Sequence, residues 1–182
     1  MDRRPLRLLL FLGLFIAMSL GFALVPFSSI GGVQAADQIR INSPAPDFSL
    51  PDLQGKEISL SSLKDKVVLL TFWSIWCHPC REEMPMMESL YKKYREKGLE
   101  VVGVNIDRES VESIRDFLKK NQLSFPVVQD REKKAMKAYS AHFMPTAFVI
   151  GHGGIVADKK VGIYNWMSPE SQKFIEGLLK KK

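Results

Sequence analysis

A chain of 182 residues accommodates one compact domain plus an appendage, and a body of about 140 residues buries a core without disulfide staples. The formal charge of +6 rests in part on Arg3, Arg4 and Arg7. The other lysines mostly alternate with acids, as in Arg131-Glu132-Lys133-Lys134, and the missing basic stripe interleaved with aromatics argues against nucleic acid as a partner.

The N-terminal arginines precede an uncharged, mostly apolar stretch from Leu8 to Val25, then Pro26 and a small-residue region ending Val33-Gln34-Ala35-Ala36. A basic start, an apolar stretch and an A-x-A-like site describe an export signal. The stretch is long for a cleaved signal and just long enough to span a bilayer. Residues 1–36 are therefore expected to be a signal or membrane-anchor segment. Either residues 8–25 stay in the membrane, or the segment is cleaved near Ala35. In both cases the arginines stay inside and the body is delivered to the extracytoplasmic side, the periplasm or the outer face of the membrane. A buried core helix behind a run of arginines at the N-terminus fits poorly. Residues 37–43 read as a polar linker and 44–182 as the folded body.

Within the body, Phe48-Ser49-Leu50, a turn at Asp52-Leu53-Gln54-Gly55 and Glu57-Ile58-Ser59-Leu60 read as a short hairpin. Val67 to Trp73 is a continuous β-prone run, as expected of a central strand buried on both faces. A helix follows over Cys77–Lys97, with Met84, Met87, Leu90, Tyr91 and Tyr94 at helical spacing and Gly98 as its stop. A strand over Leu99–Ile106 and a helix over Ser110–Asn121 come next, then a strand over Phe125–Gln129 and a helix over Asp130–Tyr139. Thr146–Ile150 and Ile155–Val161 form two strands joined at His152-Gly153-Gly154, and Ser168–Lys181 closes as a helix. Strands alternating with helices, then a hairpin and a last helix, describe an α/β sheet covered on both faces.

Both cysteines of the chain lie in Phe72-Trp73-Ser74-Ile75-Trp76-Cys77-His78-Pro79-Cys80-Arg81. A tetrahedral metal site wants four ligands, commonly two C-x-x-C pairs or one pair with two spaced histidines. Here there is one pair, and His78, His142 and His152 lack that spacing; a copper site of two thiols and a distant histidine remains open. Inert core cysteines have no reason to cluster at a strand-to-helix junction. A thiolate there is stabilised by free helix N–H groups and the dipole, so its pKa falls and it becomes a nucleophile. The second sulfur, three residues on, comes within bonding reach, and Pro79 is tolerated in a first turn. A redox couple is the best reading.

At these residues the sequence becomes recognisable. Trp76-Cys77-His78-Pro79-Cys80 resembles the W-C-x-P-C active site of the thioredoxin superfamily, and the wider frame is similar to its exported, membrane-tethered TlpA/ResA-like branch. That frame consists of "APDFSLPDLQGKEISLSSLKDKVVLLTFW", "CREEMP", "FPVVQD" and "MPTAFVI", over residues 44–180 or so. The resemblance implies a thioredoxin-like fold: a central mixed sheet with helices on both faces, an N-terminal β-hairpin extension and an inserted helix. It implies Cys77 as the attacking cysteine, Cys80 as the resolving one and Pro145 as a cis-proline beside the disulfide. Backbone groups near Met144 are then expected to pair with substrate peptide in strand fashion. Pro85 matches a proline that kinks the active-site helix in that family, although alone it reads equally as a helix end. The buried aspartate of thioredoxin itself falls on Thr71. Glu83 matches a glutamate of the ResA-like branch that handles protons; the bland alternative is a solvated acid in a first helical turn.

The expected activity is that of an extracytoplasmic thiol-disulfide oxidoreductase, a reductase of protein disulfides whose only redox group is the Cys77–Cys80 couple. His78 and Pro79 pull its potential in opposite directions: an imidazolium makes the disulfide more oxidising, whereas reducing thioredoxins carry proline there. Trp73 and Trp76 read as core and rim packing, with Trp76 beside the reactive pair. The resemblance implies disulfide-bearing client proteins, apocytochrome c among them, and a membrane electron-donor protein. The rivals are an oxidase or isomerase, a Cu(I)-binding module and a thiol peroxidase. For the peroxidase Ser74 fits, but the expected proline position holds Leu70.

Overall fold

The computed structural model describes residues 39–181. The expected signal or anchor segment, with the 8–25 stretch and Ala35, lies outside them, as does the first part of the expected linker. Among the described residues no helix is long and apolar enough to cross a membrane.

Among the described residues seven strands and four α-helices alternate much as their patterns predict. A two-stranded antiparallel hairpin comes first, β1 (Ser49–Pro51) with β2 (Glu57–Ser59). The Asp52 carboxylate closes its turn by accepting the Gln54 and Lys56 N–H groups, each at 2.8 Å. The main sheet has five strands in the order β5-β4-β3-β6-β7. Its members are β3 (Val67–Trp73), β4 (Leu99–Asn105), β5 (Val127–Gln129), β6 (Thr146–Gly151) and β7 (Ile155–Val161). β3, β4 and β5 run parallel, whereas β6 lies antiparallel to β3 and β7 antiparallel to β6. The sheet is therefore mixed, with β3 at its centre and every β3 residue buried. Parallel pairing needs crossovers, supplied by α1 (His78–Tyr94) and α2 (Val111–Lys120); α3 (Lys134–Ala138) and α4 (Pro169–Leu179) complete the cover.

Strand alternation divides the core in two. Val67, Leu69 and Trp73 of β3 join Val101, Val127 and Val149 under Met84, Met87 and Leu90 of α1, Ile114 of α2 and Ile175 of α4. Val68, Leu70 and Phe72 point the other way, to Phe48 and Leu60 of the hairpin region and to Ala135 and Tyr139 at α3. The result is a thioredoxin-like α/β fold with helices on both faces and an N-terminal hairpin.

Helix ends follow their caps. Ser110 Oγ accepts the Ser113 N–H at 3.2 Å to start α2, and Ser168 Oγ accepts the Ser171 N–H at 3.2 Å to start α4. After α1 a 3-10 turn runs over Arg95–Lys97, and Gly98 stops it at φ 103°, a left-handed conformation that a side chain would oppose. Two elements are shorter than the pattern suggests. The helix expected from Asp130 begins only at Lys134, because Lys133 sits at φ 57° and the Asp130 carboxylate caps from outside the helix. It accepts the Lys134 and Met136 N–H groups, both at 2.9 Å. β5 begins at Val127 rather than Phe125, since Pro126 offers no N–H to the ladder and the Phe125 N–H is taken by Glu88 at 3.3 Å.

Candidate active site

The parallel strands β3 and β4 end side by side, with Trp73 in register with Asn105. In parallel α/β sheets the carboxyl ends of strands are where sites form. From the end of β3, Ser74-Ile75-Trp76 leads into α1, and Cys77 is the N-cap of that helix. Its Sγ accepts the Cys80 N–H at 3.2 Å, so the sulfur takes up one of the helix's unpaired donors. Cys77 and Cys80 are joined in a disulfide. Their surroundings differ: Cys77 is partly exposed, whereas Cys80 is 2% exposed beneath the helix. Pro79 occupies the first turn and Pro85 lies inside α1. The helix continues past Pro85 to Tyr94, so the reading of Pro85 as a helix end is corrected; the next turn supplies its own closure, Ser89 Oγ donating to Pro85 O at 2.8 Å.

The loop before Cys77 is held by a carboxylate that the sequence reading overlooked. Asp107 accepts Ser74 Oγ–H at 2.6 Å, the Ile75 N–H at 2.8 Å and Asn105 Nδ2–H at 2.8 Å. Ser74 Oγ in turn accepts the Trp76 N–H at 3.1 Å. Trp76 is 74% exposed, with its indole N–H directed at Glu109 Oε1 at 3.3 Å. The signal available in the sequence was positional: Asp107 and Glu109 follow the carboxyl end of β4, level with the loop after β3.

Pro145 is reached through a cis Met144–Pro145 peptide bond. Register pairs Thr146 with Phe72, which puts this bond at the disulfide end of the sheet. Pro145 is buried, Met144 half-buried, and Phe143 73% exposed. Across the β6–β7 pair, the Gly162 N–H donates to Pro145 O at 2.8 Å.

Glu83 and His78 face opposite environments. His78 is turned to solvent, with Nε2 at 3.0 Å from Glu82 Oε1 and Nδ1 at 3.3 Å from an Arg81 guanidinium nitrogen. Glu83 is 1% exposed, so the reading of a solvated first-turn acid is corrected. Its Oε1 accepts the indole N–H of Trp166, itself buried, and its Oε2 has no partner. Burial pushes the Glu83 carboxyl up to about 7, the Trp166 hydrogen bond and, less strongly, the Tyr164 backbone N–H opposing this in part. Thr71 is buried on the face of β3 that α1 covers. Trp166 lies 83 positions after Glu83 in a loop, and no local pattern could have joined the two. Among the described residues no three His, Cys, Asp or Glu side chains gather as a metal-ligand set.

Residues 41–159 match the model of the AhpC/TSA family. A relative described as thiol-disulfide oxidoreductase ResA of Bacillus cereus is 39% identical over 145 residues, 80% of each chain. A solved structure assigned as thiol:disulfide interchange protein DsbE of Chlorobium tepidum superposes with a TM-score of 0.71 at 33% identity, covering 78% of this chain and 99% of that one. StoA of Bacillus subtilis does so at 0.60 and 29% identity, covering 72% and 96%. With this family match, these relatives and the reactive pair at the head of α1, the chain belongs to the AhpC/TSA family and is a thioredoxin-fold thiol-disulfide oxidoreductase.

Proposed function

We propose that this enzyme works outside the cytoplasm as a reductase of protein disulfides, held at the membrane by residues 8–25 or released by cleavage near Ala35. The observation that carries the chemistry is the asymmetry of the pair: Cys77 is reachable at a helix N-terminus, and Cys80 is buried one turn before a buried, unpaired carboxylate oxygen. In the reduced enzyme the Cys77 thiolate attacks one sulfur of a client disulfide. A Cys77–client S–S bond forms, the client S–S bond breaks, and the departing client thiolate takes up a proton. Cys80 then gives its proton to Glu83 and attacks Cys77 Sγ. The Cys77–Cys80 bond closes and the second client thiolate leaves to be protonated. The client gains two electrons and the enzyme loses them; a membrane electron-donor protein returns them.

The exposed Trp76 and Phe143 and the Met144–Pro145 edge offer an apolar border and backbone groups for an extended client segment. Apocytochrome c, which must present two thiols for haem attachment, is the client class proposed. The direction is supported by Pro79 and by the engagement of His78 with Glu82, which offsets an imidazolium charge beside Cys77. The deciding measurement is the reduction potential of the purified chain against defined thiol buffers. A value at or below about −250 mV supports the reductase, whereas one near about −120 mV makes the enzyme a disulfide donor. Peroxide consumption at rates matching disulfide reduction would instead favour the peroxidase.

A further inference from the structure

The loop from β7 to α4 ties two parts of the site together. At its start the Gly162 N–H holds Pro145 O at 2.8 Å, and near its end the Trp166 indole N–H holds Glu83 Oε1. Trp166 is 1% exposed and is fixed from two sides. Its ring stands edge-on to Tyr164 with centroids 4.8 Å apart, and its backbone N–H bonds Tyr164 O at 3.1 Å. A Trp indole has one donor and no acceptor. It therefore stabilises a carboxylate without competing for the proton that the carboxylate is to receive.

The two oxygens of Glu83 are thereby made unequal. Oε1 is committed to the indole, while Oε2 is buried without a partner. A buried polar atom left unpaired calls for an explanation. In the disulfide form Cys80 Sγ is bonded to sulfur and has no hydrogen to offer. In the dithiol form it carries one, from a position three residues earlier on the same helix, where side chains share a face. We propose that Trp166 is the positioning residue of proton transfer, fixing Glu83 through Oε1 so that Oε2 is the oxygen that takes the Cys80 proton. This rests on the reading of Glu83 as proton acceptor given above.

The chemistry of the pocket suits this role. On its own helix Glu83 has the two cysteines as titratable neighbours, and the β7–α4 loop brings the Tyr164 backbone N–H as well as the indole. β3 places uncharged Thr71 on the α1 face, and α4 buries Ser171 and Ile175. Desolvation is thus opposed chiefly by hydrogen bonding, with the indole as its principal donor. Removing that donor leaves the anion less favoured and Oε1 without its indole anchor, with the Tyr164 backbone N–H as the weaker remaining donor.

The test uses the full chain carrying a glutathione mixed disulfide at Cys77, with glutathione release followed against pH. In the unsubstituted enzyme release rises as pH passes through the Glu83 midpoint. Trp166→Phe keeps an aromatic ring and removes the N–H. It is expected to move that midpoint up by about one pH unit, a tenfold change in ionisation, and to slow release near neutrality by a similar factor. Glu83→Gln abolishes the step, and adding Trp166→Phe to it changes release no further. A second measurement needs no change at Trp166: its indole N–H resonance should titrate with Glu83 and lie flat in Glu83→Gln. A Glu83-dependent step that Trp166→Phe leaves in place, or an indole resonance blind to Glu83, overturns the positioning role and spares the acceptor reading. Release in Glu83→Gln identical to that of the unsubstituted enzyme at every pH removes the acceptor reading and the proposal with it.

Discussion

Replacing Glu83 by Gln in the disulfide form should make the protein more stable, increasingly so as pH rises. The carboxyl stands at about 7 in the fold against 4.5 when unperturbed. Between these values the native state binds more protons than the unfolded state, so stability falls as pH climbs through that window. Below it the acid is neutral in both states and contributes no pH dependence. Above it the full difference applies, about 3 kcal/mol at 1.36 kcal/mol per pH unit. Glutamine is neutral throughout and keeps an oxygen for the Trp166 indole. Its stability relative to the parent should therefore improve by about 3 kcal/mol between about pH 4 and about pH 8. Guanidinium unfolding followed by far-ultraviolet circular dichroism at both pH values measures this. Other titrating groups cancel because parent and variant are compared at the same pH, and no thiol titrates while the disulfide is intact. A stability difference that stays constant across this range would refute the claim that Glu83 is held in a raised-pKa environment by burial.

The same reasoning extends to three other places. Asp107→Ala leaves Ser74 Oγ–H, the Ile75 N–H and the Asn105 amide without their acceptor; a loss of about 2–4 kcal/mol is expected, with faster amide hydrogen exchange at Ile75 and Trp76. Gly103→Ala places a Cβ 2.9 Å from Trp73 Nε1 and 3.1 Å from Phe125 Cε2. Overpacking of this kind is expected to lower stability by about 1–3 kcal/mol, read from the denaturation midpoint. Cys80→Ser should accumulate a one-to-one client adduct through Cys77 that reductant releases, and Cys77→Ser should form none; mass spectrometry under non-reducing conditions distinguishes them.

Much of the fold was legible because its signals are local. The apolar run Val67–Trp73 must be buried on both faces, Ser110 and Ser168 are caps by their own side chains, and Gly98 ends a helix by its backbone freedom. The start of α3 was misplaced because Asp130 caps the helix from four and six residues before the N–H groups it accepts rather than serving as a first-turn residue, a choice that depends on where β5 delivers it. The cysteine pair was equally legible, since its spacing and its place at a strand-to-helix junction are properties of ten consecutive residues.

What sequence alone determined, then, is the chemistry of Cys77 and Cys80 and the class of sheet that presents them. Tertiary structure decided the state of the groups around them. Whether Glu83 is a solvated acid or a buried one depends on the rotation of α1 over β3 and on a tryptophan 83 residues away, and its Oε2 is left without a hydrogen-bond partner only once that packing has buried it. Asp107 is an anchor for the redox loop only because parallel pairing sets the ends of β3 and β4 level. Spacing along a chain fixes what neighbours can do for each other, whereas burial and the pairing of distant polar groups exist only once the chain has closed on itself.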